Sequence, residues 1–159
     1  MLSYNDAFYS LKNSLQSLYD VQEAAAIAHE ALEHITGLGK MQRLLDKDKL
    51  FTEPQQQQFD QMANTLQNGT PLQYALGSAW FMGRQFMVDS NVLIPRPETE
   101  ELVQWIIDDH KYGSPSILDI GTGSGCIPIS LKLGLPNAIV GSCDVSEGAL
   151  STARKNPAA

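Results

Sequence analysis

The sequence is poor in cysteine, in histidine and in positive charge, and each shortage removes a class of function. Cys126 and Cys143 are the only two cysteines and stand 17 positions apart, so they form neither a CxxC pair nor a disulfide framework. Both read as small apolar core residues, and such usage implies a reduced, cytoplasmic setting. The three histidines are His29, His34 and His110, with the first two five apart and so not stacked on one helix face. No metal site is expected from them. Eleven Lys and Arg stand against 18 Asp and Glu, a formal charge of −7, and the basic residues are scattered. That leaves no stripe to neutralise a phosphate backbone, so direct nucleic-acid binding is not expected. Long apolar runs are absent too: no stretch of 18 apolar residues occurs, and the first residues, MLSYNDAFYSLKNSL, lack a basic start followed by an unbroken apolar segment. Neither export nor a membrane span is expected.

What is present begins with helical periodicity. Tyr4, Phe8, Leu11, Leu15 and Leu18 step by four and three, and Val21, Ala25, Ala28, Leu32 and Ile35 repeat the step after Asp20, with Glu23 placed to complete a capping box. Gly37 and Gly39 stop that second helix. A short third helix is predicted over 41–46, and a fourth from a Thr52 cap through Phe59, Met62, Ala63 and Leu66 to Asn68-Gly69. Thr70-Pro71-Leu72-Gln73 opens a fifth, which Gly77 ends. The pattern predicts a small helical bundle over 1–77.

From Ala79 the texture changes. Trp80-Phe81-Met82 and Phe86-Met87-Val88 read as two strands around a Gly83-Arg84 turn, a β-hairpin within a linking segment over 78–96. Asn91 to Pro97 stays extended, because Pro95 and Pro97 each disfavour helix in the preceding residue. Pro97 then opens a helix with Leu102, Val103, Ile106 and Ile107 on one face and Glu98, Glu100 and Glu101 in its first turn, where the macrodipole favours acids. After it come an apolar run at 117–120, a helix over 124–133, a second apolar run at 139–144 and a helix over 146–155. This βαβα order predicts two parallel strands of a doubly wound sheet in a domain over 97–159.

Between the first strand and its helix lies Gly121-Thr122-Gly123-Ser124-Gly125. The loop should place bare N–H groups and a positive helix end at the carboxyl edge of the sheet, where a ligand can approach the backbone. A dinucleotide fingerprint needs a small residue at position 126, which is cysteine here, and no GK[ST] follows as a P-loop requires. Asp144 ends the second strand 23 residues after Gly121, where a carboxylate can accept both hydroxyls of a ribose. Asp119 interrupts the apolar strand Ile117-Leu118-Asp119-Ile120, where an unpaired carboxylate costs several kcal/mol, roughly. It needs a cation or several N–H donors, and the ammonium of the methionine portion of S-adenosylmethionine would meet that need. The competing reading is a tight strand-to-helix turn in which Asp119 and Asp144 serve only their own loops.

Three segments carry a resemblance to a known family: ILDIGTGSGCI at 117–127, LIPRPETE at 93–100 and ARKN at 153–156. They resemble the release-factor glutamine methyltransferases, the HemK or PrmC family. The likeness covers nearly the whole chain, including TPLQYALGSAWFMG at 70–83, and IPRPETE is its more specific motif. It implies an N-terminal helical substrate-docking domain and the front of a class I, Rossmann-like methyltransferase domain. It also implies transfer of a methyl group to the side-chain amide nitrogen of the glutamine in the Gly-Gly-Gln motif of peptide-chain release factors. Carried over by position, Gly121, Thr122, Gly123, Ser124 and Gly125 would hold S-adenosylmethionine and Asp144 its ribose, which agrees with the reading of Asp119 as a partner of its ammonium. Arg96, Pro97 and Thr99 would border its methionine end and the substrate entrance. For Arg96 and Glu98 the alternative is a surface salt bridge at a helix start. Pro128 departs from the small residue usual at that point of the family helix, and in the first turn it is tolerated.

A second departure is larger. The resemblance implies a catalytic Asn-Pro-Pro-Tyr whose asparagine and a backbone carbonyl orient the glutamine amide, and no such tetrapeptide occurs in the sequence. Asn156-Pro157 is followed by Ala158-Ala159, and no catalytic role is expected of it. The expectation is therefore a truncated product or fragment whose helical domain folds, with no catalytic residue of its own and no methyl transfer. Two other readings stay open. One is a non-catalytic module that binds a release factor through its N-terminal helices. The other is an amine methyltransferase acting on a ribosomal protein or on nucleic acid, against which the scattered basic residues and IPRPET both count.

Overall fold

The computed structural model describes residues 1–156, so Pro157, Ala158 and Ala159 lie outside the described residues. The chain divides into two compact units, Met1–Leu76 and Gly77–Ala159.

The first unit holds five helices: α1 (Tyr4–Leu15), α2 (Val21–Thr36), α3 (Lys40–Leu45), α4 (Glu53–Gln67) and α5 (Leu72–Leu76). Side-chain caps set the starts. Ser3 accepts from the Asp6 N–H, Asp20 accepts from the N–H groups of Gln22 and Glu23, and Thr52 and Gln55 exchange the reciprocal bonds of a capping box. α1 is shorter than its apolar spacing suggested. The chain turns after Leu15 so that Asp20 can cap α2 in extended conformation, and Leu18 is left half exposed. The buried stripe of α2 includes the expected Ala28, Leu32 and Ile35 and is widened by Ala24, Ile27 and Ala31, while Ala25 is half-buried and Val21 faces outward. Its alanines bring α1 close. Leu11, Leu15, Leu32 and Leu66 are essentially inaccessible, and each contributes about 1.5–3 kcal/mol by leaving water. Phe51 sits between Tyr4 and Phe59, ring centroids 5.7 and 5.6 Å away.

α3 inverts the usual pattern. It exposes Met41, Leu44 and Leu45 and buries Arg43, whose guanidinium donates to the carbonyls of Leu38 and His29. Glu33, half exposed, stands 3.9 Å from it. This is the one ion pair among the described residues.

The second unit opens with an antiparallel hairpin, β1 (Ser78–Phe81) and β2 (Arg84–Met87), in the register Phe81↔Arg84. Its two-residue turn is Met82-Gly83, one position earlier than Gly83-Arg84. Both residues have positive φ, 49° and 71°, as a turn matched to strand twist requires. The Met82 N–H is held at 2.8 Å by Glu100 Oε1 from α6 (Pro97–His110). Pro97 is the first residue of α6, with Arg96 extended before it.

β3 (Ser116–Ile120), α7 (Cys126–Gly134), β4 (Ile139–Cys143) and α8 (Glu147–Ala153) follow, and β3 pairs with β4 in parallel from Ser116↔Ile139 to Ile120↔Cys143. This is the first βαβα part of a Rossmann-like fold. Phe81, Phe86, Val103, Cys126 and Leu131 form the core, with Ile117 and Val140 packed against it from one face of the sheet. Leu118, Ile120 and Ile139 on the other strand positions are 64, 79 and 73% exposed. That face is open. No helix among the described residues is long and apolar enough to cross a membrane.

Candidate functional site

The carboxyl ends of β3 and β4 converge on the glycine loop. Gly121 and Thr122 donate to the Cys143 carbonyl at 2.8 and 3.1 Å, Gly123 donates to Asp144 Oδ2 at 2.9 Å, and Gly125 donates to the Thr122 carbonyl at 2.9 Å. The loop is thus not a set of bare N–H groups, as the sequence suggested: four of its five amides serve its own architecture. Pro128, in the first turn of α7, contributes no N–H at all.

The three glycines differ in what surrounds them. Gly121 and Gly123, at φ +83° and +54°, have nothing within 4 Å of where a Cβ would stand, so the peptide surface on that side is open to a ligand. Gly125, at φ +79°, faces Ile129 and Ala153, whose side chains lie 3.3 and 3.4 Å from that position. It makes room for α8 rather than for a ligand.

The two aspartates expected at the strand ends are both there. Asp144 is half-buried; its Oδ1 accepts from the Ser146 N–H and its Oδ2 from the Gly123 N–H, each at 2.9 Å. Those two backbone donors, Ser146 first, hold its carboxyl below the usual carboxylate range. Each oxygen keeps a second acceptor position. Asp119 is half-buried too, and its Oδ2 is inaccessible with no hydrogen-bond partner. Thr122, 5% exposed, has an unpartnered Oγ1, and the third such atom among the described residues is Ser130 Oγ on α7. Buried polar atoms are almost always paired, so two orphans in or beside one loop mark a place built for something else.

Arg96, Pro97 and Thr99 lie at the start of α6. Arg96 is exposed, makes no ion pair with Glu98, and its carbonyl accepts from the Thr99 N–H at 3.0 Å. No hydrogen bond or ion pair among the described residues joins these three side chains to the glycine loop. Cys126 is buried, and burial pushes its thiol above the ordinary range, so it is no nucleophile. Cys143 is exposed.

Sequence reasoning missed Asn156. It is 8% exposed and its carboxamide meets both the Met87 peptide and the Ser124 carbonyl of the loop. Its membership of ARKN was the only signal.

Residues 6–77 match the profile described as the PrmC N-terminal domain. A release factor glutamine methyltransferase of Flavobacterium psychrophilum is 44% identical over 147 residues, 90% of this chain and 52% of that protein. The chain is similar to a portion of the release factor glutamine methyltransferases. Proteins of that name from Bacteroides thetaiotaomicron and Chlorobaculum tepidum are 41 and 42% identical, over 92 and 86% of this chain and 52 and 48% of their own lengths. The chain therefore spans about half the length of the relatives it matches. Because the likeness extends well beyond residue 77, it takes in both the helical unit and the glycine-loop unit.

Proposed function

We propose that the second unit binds S-adenosylmethionine at the glycine loop, as the cofactor part of a protein that methylates the Gly-Gly-Gln glutamine of peptide-chain release factors. The observation that carries this is the pair of orphaned buried atoms, Asp119 Oδ2 and Thr122 Oγ1, beside a loop whose Gly121 and Gly123 faces are open. A zwitterionic amino-acid end with an ammonium group would satisfy the carboxylate. Asp144, held ionised by two amides and with acceptor positions left, suits the two hydroxyls of a ribose. Gly121, Gly123 and Ser124 shape the floor between them, and Gly125 lets α8 close behind it. When bound, S-adenosylmethionine supplies a methyl group on a positively charged sulfur. Arg96, Pro97 and Thr99, in the shared IPRPET segment, are assigned to the approach to that site.

The amide-orienting Asn-Pro-Pro-Tyr implied by the family is not in residues 1–159. As a 159-residue protein the chain is therefore proposed to bind the cofactor without transferring the methyl group. Calorimetric titration with S-adenosylmethionine, and an incubation with release factor and methyl-labelled cofactor, test the two halves of this statement. Heat of binding with no label transferred is expected. Absence of binding overturns the cofactor assignment, and labelled release factor overturns the proposed inactivity.

A docking role for the first unit is the second reading, and a different observation favours it. A cavity of about 110 Å³ is lined by Tyr4, Phe8, Tyr9 and His29 together with Lys40 and Lys47. Lys12 and Lys49 stand over Tyr9 and Tyr4, 6.0 Å from each ring. With Arg43, all five basic residues of this unit gather at one aromatic-lined place. That suits an acidic, aromatic-bearing segment of a partner protein. Binding of a release factor that survives Asp119→Asn but is lost in the double variant Lys40→Glu, Lys47→Glu is the result expected of docking without cofactor.

A further inference from the structure

The glycine loop is anchored on two sides, and only one of them is the expected strand end. From the β4 side, the Cys143 carbonyl and the Asp144 carboxylate hold Gly121, Thr122 and Gly123. From the other side comes Asn156, just past the end of α8. Its Oδ1 accepts from the Met87 N–H at 2.7 Å, and its Nδ2 donates to the Met87 carbonyl at 2.9 Å and to the Ser124 carbonyl at 3.0 Å, with the Thr152 carbonyl at 3.5 Å. The side-chain amide thus pairs with the Met87 peptide as a neighbouring strand would, and spends its second N–H on the loop.

Thr152, one turn earlier on α8 and 1% exposed, reinforces the same junction. Its hydroxyl lies 2.7 Å from Asp89 Oδ2, while Asp89 Oδ1 accepts from the Asn91 N–H at 2.9 Å. Those donors, the Thr152 hydroxyl foremost, hold the Asp89 carboxyl below the ordinary range. Gly148 completes the fit, since a Cβ there would stand 2.6 Å from Asn91 Oδ1. Residues 87–91 therefore lie directly along α8, and they lead into the 93–100 segment.

We infer that Asn156, backed by Thr152, is a positioning residue that fixes the glycine loop and the strand leaving the hairpin in one register. Glycines at 123 and 125 have no side chains with which to hold the loop, so its place is set by what its peptide groups bond to. An aspartate at 156 lacks the two donors, and a glutamine is one methylene too long for a site this buried. The consequence for cofactor affinity rests on the glycine loop being the S-adenosylmethionine site; the clasp itself does not.

Two measurements on the 159-residue chain separate these statements. The first is amide hydrogen exchange at Gly123 and Gly125 without cofactor, and the second is calorimetric affinity for S-adenosylmethionine. Asn156→Ala is expected to speed exchange at both glycines about ten-fold or more and to weaken affinity by about ten-fold, at temperatures where the unit stays folded. Val103→Ala, a buried core change far from the loop in sequence, is the control: it lowers the melting temperature and should leave both readouts within about two-fold. Asn156→Asp should behave like the alanine variant at neutral pH and recover part of its loop protection as acid restores a donor. Thr152→Val, which keeps shape and loses the bond to Asp89, should give a smaller effect of the same kind even if Asn156→Ala does not fold.

Loop exchange in Asn156→Ala or Thr152→Val no faster than in Val103→Ala overturns the positioning role. The exchange effects in the variants, with no binding of S-adenosylmethionine by the wild-type chain, overturn the cofactor assignment alone.

Discussion

The two units treat their buried polar groups in opposite ways. In the first, the one buried charge, Arg43, has both ends of its guanidinium engaged by carbonyls, and no described side chain is buried without a partner. In the second, Asp119, Thr122 and Ser130 each bury an unpartnered oxygen, and Met82 holds the only positive φ of a non-glycine residue among the described residues. A fold that satisfies itself locally has no need of a ligand, whereas one that leaves polar atoms orphaned beside an open loop is short of something. The helical unit is the self-sufficient half, and the loop unit is the receptive one.

The largest test of this contrast lies in the aromatic centre of the first unit. Phe51→Ala removes a ring packed between Tyr4 and Phe59 and should cost about 3–5 kcal/mol. Chemical denaturation followed by helical circular dichroism would register it as an early loss of helix. A cost below about 1 kcal/mol would mean that the bundle is loosely packed and the contrast is false.

Next comes Arg43→Ala, which strands the carbonyls of Leu38 and His29 in a buried site and should cost about 2–4 kcal/mol. It also changes a titration. His29 is stacked on Phe8 at 4.3 Å, and burial first, then Lys40 and Arg43, push its pKa below the ordinary 6.5. Because the unfolded chain binds this proton more readily, the stability linked to His29 is fully present above 6.5. It is lost as pH falls from there towards the depressed folded value. In Arg43→Ala the His29 resonance should titrate closer to 6.5, with a smaller loss of stability on acidification. An unmoved titration would remove Arg43 from the account.

Much of this division was legible in the residues, and what was not has physical reasons. Asp20, Thr52 and Pro97 announce helix starts because a cap or a fixed φ is a local matter. The parallel pairing followed from element order. The burial of Arg43 did not, because a charged residue in a short helix reads as surface until one knows that the Leu38 and His29 carbonyls face it. Asn156 was invisible as an anchor for the same reason: its partners are 69 and 32 positions away. The loop glycines were legible as a turn, but their amides' commitment to Cys143 and Asp144 is a product of strand register, which spacing alone does not reveal.

In the receptive unit the decisive change is Asp119→Asn. Replacing the orphaned carboxylate by a neutral amide relieves a desolvation cost, so the ligand-free chain should gain about 1 kcal/mol while S-adenosylmethionine affinity falls about ten-fold or more. Opposite movements of melting temperature and affinity are the signature to seek. Loss of stability together with unchanged affinity would mean that Asp119 serves its own fold, and the contrast between the units would disappear.

The smallest effect is expected at the hairpin turn. Met82 occupies the left-handed region at φ 49°, which costs a non-glycine residue about 1–2 kcal/mol, whereas asparagine before glycine is the favoured pair for such a turn. Met82→Asn should recover part of that cost. Against it, the methionine side chain is half-buried against the core of the unit, and its loss gives back about 1 kcal/mol. The bond from the residue 82 N–H to Glu100 survives, since it is a backbone donor. The net expectation is a gain of about 0.5 kcal/mol in thermal unfolding, small because strain relief and lost packing nearly cancel. A clear destabilisation would show that Met82 is held in the left-handed region by its packing rather than in spite of its backbone.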